Sequence, residues 1–234
     1  MIISNKHRFI YFFSIGNTAT RSVQRLLSQY HDDPDISITL SNEATPRMKK
    51  YLEDEGTISN YQKDSQEYFL DREVTPRYLR ILFERLGRLD QFEEYSKYAT
   101  VRHPFILISS LARSNNLGYN IDAECYLECI RIASNDYRAH GYDPIFLGRG
   151  QYQAYEQLAG GIIIDKFLKI ESLKEDIKAT FPFVNVEKLQ HYKHDYAVER
   201  KTSWQQNVGQ AIYRHWKKDF EHFGYNLSSN GGTK

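Results

Sequence analysis

An α/β protein with a central, mostly parallel sheet flanked by helices is the fold this sequence predicts, and three strand-to-helix stretches carry the expectation. Residues 8–30 read RFIYFFSI, then GNTATRS, then VQRLLSQY. The first part is a continuous apolar, aromatic-rich run, the pattern of a strand buried on both faces. The last part sets Val23, Leu26, Leu27 and Tyr30 at i, i+3, i+4 and i+7, one face of a helix. Residues 95–114 repeat the design, with a strand over Tyr98–Val101, Pro104 as a helix start and a helix over Phe105–Arg113. A third unit is a strand over Ile162–Ile170 leading into a capped helix at Glu171–Ser172.

The turn at 16–22 holds one glycine, the hydroxyls of Thr18, Thr20 and Ser22, and the cation of Arg21. Small polar residues at a strand-to-helix junction aim backbone N–H groups and the positive helix end at one spot, which makes an anion site. An ordinary junction with Thr18 as N-cap explains the turn by itself equally well. The Gly-x4-Gly-Lys-Ser/Thr spacing of a Walker A loop is absent, which disfavours a P-loop kinase. At the second junction Arg102 sits at a strand's carboxyl end beside a helix start, the edge where open α/β sheets bind ligands. A solvated arginine and a helix serine bonded to its own turn are the plain alternative.

Between these units the chain is less informative. His31–Ser41 is turn-rich, then briefly apolar (ISITL), and reads as a short second strand. Ser41–Gln66 is polar and charged and reads as a mobile flap. Pro76–Leu89 reads as an amphipathic helix with Tyr78, Ile81, Leu82, Phe83 and Leu86 as its stripe. Asp122–Ala139 is helical and carries Cys125 and Cys129, which fit two reduced, partly buried thiols better than a metal site or a disulfide. His191–Lys201 is a polar loop, and Val208–Tyr225 a terminal helix whose Ile212, Trp216, Phe220 and Phe223 dock on the core, with Gly224 as its stop.

Bulk properties narrow the function classes. At 234 residues the chain fits one domain over 1–226 with a disordered tail at 227–234. A net charge of +1 argues against a nucleic-acid surface, so an anion site here is local. No stretch approaches the roughly 18 apolar residues of a membrane span, and the amino terminus lacks the cleavage pattern of a signal peptide, so the expected location is cytoplasmic.

The two junctions together resemble the nucleotide-binding motifs of sulfotransferases that use 3′-phosphoadenosine 5′-phosphosulfate (PAPS). Ile15-Gly16-Asn17-Thr18-Ala19-Thr20-Arg21-Ser22-Val23 fits the frame of the 5′-phosphosulfate loop of the carbohydrate sulfotransferases, with Asn17 where the family has its lysine. Arg102, His103, Pro104, Phe105 and Ser110 are similar to the 3′-phosphate motif. Glu171, Leu173 and Asp176 match a later segment, and Lys218, Asp219, Phe220, Phe223, Gly224 and Tyr225 match the family's terminal helix. The resemblance spans Arg8–Tyr225 and implies a three-layer, P-loop-like sulfotransferase fold. It also implies PAPS as co-substrate, no metal, and an acceptor that is a saccharide. Gly16, Asn17, Thr18, Ala19, Thr20, Arg21, Ser22, Arg102, Ser110 and Arg113 are then the nucleotide contacts. Asn17 and Arg21 face the leaving phosphate. His31, Glu43 and His103 are candidates for the general base, and the sequence singles none of them out. Asn17 brings no charge, so a catalytically idle nucleotide-binding or interaction module is the competing expectation.

Overall fold

The computed structural model describes residues 1–12, 20–38, 68–70, 76–114, 122, 124–128, 150–152, 155–156, 163–189 and 206–226. In chain order these form β1 (Ile2–Ser4), β2 (Phe9–Phe12), α1 (Thr20–Leu27), β3 (Ile36–Ile38), β4 (Tyr68–Leu70), α2 (Pro76–Arg85), α3 (Leu89–Glu94) and β5 (Ser96–Val101). Then follow α4 (Pro104–Ser114), β6 (Lys166–Lys169), α5 (Leu173–Thr180), α6 (Gln206–His215) and α7 (Lys217–Phe223).

The main sheet has the order β1-β2-β5-β6. β1 lies antiparallel to β2, with Ile2 opposite Tyr11. The remaining pairs are parallel: Phe12 faces Ala99 across β2 and β5, and Val101 faces Lys169 across β5 and β6. Alternation along the strands sends side chains to two separate cores. Ile10, Phe12, Ala99 and Val101 join a cluster filled by α2, α3, α4, α6 and α7. Phe9, Tyr11 and Leu168 join a second cluster filled by α1 and α5. Helices therefore cover both faces, which is why β2 reads as an unbroken apolar run rather than an alternating one. On the second face the Tyr11 hydroxyl pairs with Thr100 Oγ1, and burial drives the phenol's pKa well up.

Several boundaries differ from the sequence reading for local reasons. β1 is an added antiparallel edge strand. β3 pairs in parallel with β4 as a separate two-stranded sheet, and β4 is only a three-residue run, YFL, too short to read as a strand by itself. The helix expected over Pro76–Leu89 ends at Arg85, because Gly87 adopts φ 69, and a separate helix follows at Leu89–Glu94. The buried stripe of α2 holds Leu79, Leu82 and Phe83, while Ile81 is 37% exposed. β6 is shorter than the expected strand, and Ser172 makes no side-chain cap to α5. Asp176 instead reaches back to accept the Lys169 N–H at 2.8 Å. The terminal helix is also two, broken at Trp216, with Ile212, Trp216, Phe220 and Phe223 buried and Gly224 left-handed at φ 63 as its stop. Cys125 is buried. Cys129, the flap at 41–66, the loop at 191–201 and the tail at 227–234 lie outside the described residues. No helix among the described residues is long and apolar enough to cross a membrane.

Candidate functional site

Because β2, β5 and β6 are parallel neighbours, their carboxyl ends share one edge of the sheet. The chain leaves that edge at Phe12 and re-enters the described structure at Thr20, the first residue of α1. Arg102 follows β5 on the same edge, one strand away. The end of β2 and the end of β5 are thus adjacent in space, on the edge where parallel sheets bind ligands.

Of the candidate residues, Gly16, Asn17, Thr18, Ala19 and Glu43 lie outside the described residues. Thr20 and Arg21 open α1, and Ser22, half-buried, follows them in its first turn. Ser110 is half-buried on α4, and Arg113 belongs to that helix's last turn. Arg102 is buried, 6% exposed, and α4 starts two residues later. A groove of about 300 Å³ runs along α1, lined by Ser22, Arg25, Leu26 and Gln29 and closed by Lys188. Ser22, Arg25 and Leu26 of α1, with Gln29 in the 3-10 turn that follows at Ser28–Tyr30, lie at i, i+3, i+4 and i+7.

His31 is not brought to this edge. It follows α1 at the outer side of β1, where Nδ1 accepts the Ile3 N–H at 3.1 Å and Nε2 donates to the Ile36 carbonyl at 2.7 Å. Ile3 is level with Ile10 and Lys97, and at about 3.3 Å per residue Arg102 lies roughly 16 Å further along the strand direction. The ring is a clasp between β1 and β3, and its placement separates it from the two junctions.

Sequence reasoning missed the side chains that lock the Arg102 end. The Gln151 amide accepts the Arg102 N–H at 2.9 Å and donates to the Arg102 carbonyl at 2.5 Å, as a neighbouring strand would. Asp219, from α7, accepts the N–H of Gln151 at 2.8 Å, the Gln151 side-chain amide at 3.1 Å and the N–H of Tyr152 at 2.7 Å. Glu171 accepts the His103 N–H at 2.7 Å and the Tyr225 hydroxyl at 3.1 Å, joining the ends of β5 and β6 to the chain after α7. Asp219 and Glu171 were visible only as motif positions. Gln151 gave no signal, because its partners are distant in the chain.

The electrostatics follow from burial. Desolvation lowers the His103 pKa to about 4, so the ring is neutral near pH 7. Its Nδ1 accepts the Phe105 N–H at 3.3 Å, capping α4, and Nε2 faces the Asn226 carbonyl at 3.3 Å. A ring engaged in this way is a cap, not a base open to substrate. Burial likewise pushes Asp219 up to about 6 against the three hydrogen bonds that favour its charged form. Burial, reinforced by the Glu171 carboxylate, drives the Tyr225 phenol well above its ordinary range. Among the described residues no group of three or more His, Cys, Asp or Glu side chains is arranged to hold a metal.

No protein-family model matches this chain, and no curated protein or solved structure does.

Proposed function

We propose that the protein is a PAPS-dependent sulfotransferase, moving the sulfuryl group to an acceptor hydroxyl, with a saccharide as acceptor class. One observation carries the reading: β2, after which the first motif begins, and β5, which Arg102 follows, are hydrogen-bonded parallel neighbours, so their carboxyl ends lie on one edge. Opposite orientations of these strands would have left the two motifs at opposite ends of the sheet.

In this reading Arg102, with Ser110 and Arg113, grips the 3′-phosphate, and a charged guanidinium suits that task. The α4 start offers less, since His103 already caps it. Backbone N–H groups of 16–20, with the hydroxyls of Thr18 and Ser22, hold the 5′-phosphosulfate and fix it for in-line displacement. Asn17 donates a neutral hydrogen bond to the leaving phosphate, and Arg21 in the first turn of α1 supplies the charge that Asn17 lacks. Glu43 stands as the candidate base. The supporting test is calorimetric titration with the desulfated product, 3′-phosphoadenosine 5′-phosphate (PAP). Arg102→Ala is expected to weaken binding about 10- to 100-fold, the worth of a hydrogen bond to a charged group. No binding by the wild type, or binding indifferent to Arg102→Ala, contradicts the assignment.

A second reading, a catalytically idle nucleotide-binding module, is favoured by Asn17 alone. Losing one charge-stabilising contact costs about 3 kcal/mol, on the order of a hundredfold in rate. Radiolabelled sulfate transfer by the wild type supports the enzyme; transfer only by Asn17→Lys supports the idle module.

A further inference from the structure

The sheet ladder ends at Val101, yet the backbone of Arg102 is held on both its N–H and its carbonyl by one side chain, Gln151. Gln151 is 1% exposed and is gripped in turn by the fully buried Asp219. The approach is close enough to require glycine before it: Gly150 has φ 88, and a Cβ there would lie 2.8 Å from Asp219 Oδ1. Burying a carboxylate is costly, and packing α7 against the core needs no such group, since Trp216, Phe220 and Phe223 already supply the contact. In some proteins a polar group buried against that cost fixes a geometry, and here Asp219 holds both the backbone and the side chain of Gln151.

We propose that Gln151, braced by Asp219, is the positioning residue that presents Arg102 to the nucleotide's 3′-phosphate. This rests on the nucleotide reading above. Gln151 does not touch the nucleotide; it substitutes for the missing strand residue, so that Arg102 is ordered before ligand arrives rather than by it. Preorganisation of this kind raises affinity by removing an ordering cost from binding. Its signature is selective: an interaction that acts through Arg102 affects recognition of the 3′-phosphate and leaves the rest of the nucleotide alone.

The test is calorimetry on the full chain with two probes, PAP and AMP, the second lacking the 3′-phosphate. Gln151→Met keeps the length of the side chain and removes its hydrogen bonds. We expect about a tenfold loss of PAP affinity with AMP affinity unchanged, and no further loss when Gln151→Met is added to Arg102→Ala, as coupled neighbours require. Asp219→Asn, which loosens Gln151 without replacing it, is expected to give a smaller loss of the same selectivity and serves if Gln151→Met does not fold. Unchanged PAP affinity in both variants, equal losses for PAP and AMP, or effects that add to Arg102→Ala overturn the proposal. A wild type that binds PAP no better than AMP overturns the nucleotide reading and this proposal with it. A wild type that needs Arg102 but is indifferent to Gln151 and Asp219 overturns this proposal alone.

Discussion

His103 and Asp219 titrate over nearly the same range with opposite effects on stability. His103 has a folded pKa of about 4 against 6.5 in the unfolded chain. Between those values the unfolded state carries the extra proton, so stability rises with pH and is lost as pH falls through the window. Asp219 has a folded pKa of about 6 against 3.8. There the folded state carries the extra proton, so stability falls as pH rises from 4 to 6. Each slope is at most about 1.4 kcal/mol per pH unit, and the two offset one another between pH 4 and 6. Urea titrations at pH 4.5, 5, 5.5 and 6 check this. Asp219→Asn is expected to steepen the rise of stability with pH by about one proton, and His103→Asn, which keeps a capping oxygen for α4, to reduce it by about one. Slopes equal to the wild type's in both variants contradict the assignment. The sequence showed His103 beside Arg102 but not its burial, which is set by Phe105, Phe220 and Tyr225 packing around the ring.

Glycines and apolar stripes decide matters at the scale of elements. Gly87 and Gly150 both have positive φ, but a Cβ at Gly87 meets nothing within 4 Å, whereas at Gly150 it meets the Asp219 carboxylate. Gly87→Ala is expected to cost about 1 kcal/mol of strain, and Gly150→Ala about 3 kcal/mol or more because the Asp219 hydrogen bonds must also give. Equal melting temperatures for the two variants contradict that difference. On α2, Leu79→Ala is expected to cost about 2–4 kcal/mol, and Ile81→Ser to stay within about 0.5 kcal/mol. Helical periodicity located α2 and its pole, but it chose Ile81 over Leu79. Both choices satisfy a 3.6-residue period, and only the neighbour decides which edge of the stripe is covered. The terminal helix was legible for the opposite reason: Ile212, Trp216, Phe220 and Phe223 are large and spaced on one face, and Gly224 closes it.

Taken as a whole, the molecule owes its legibility to the parallel pairs. A long apolar run marked β2 and the short stretch before Arg102 marked β5, and a strand buried on both faces implies helices on both sides, as the two cores show. Strand order and the contacts that close the edge were not legible. Glu171 with Tyr225, and Asp219 with Gln151, join residues 54 and 68 positions apart, and no local pattern encodes such pairs. β4 was hidden because a two-stranded parallel pair asks little of its sequence. His31 illustrates the same limit: a histidine after a helix reads as a candidate base, whereas the fold spends both its ring nitrogens on backbone groups of β1 and β3.

If one doubly phosphorylated adenosine spans the ends of β2 and β5, the structure of a PAP complex will show it. The 5′-phosphate is expected against the backbone N–H groups of residues 16–20 and the 3′-phosphate within hydrogen-bond distance of the Arg102 guanidinium. A nucleotide bound at the opposite edge of the sheet, or at this edge with its 3′-phosphate away from Arg102, contradicts it.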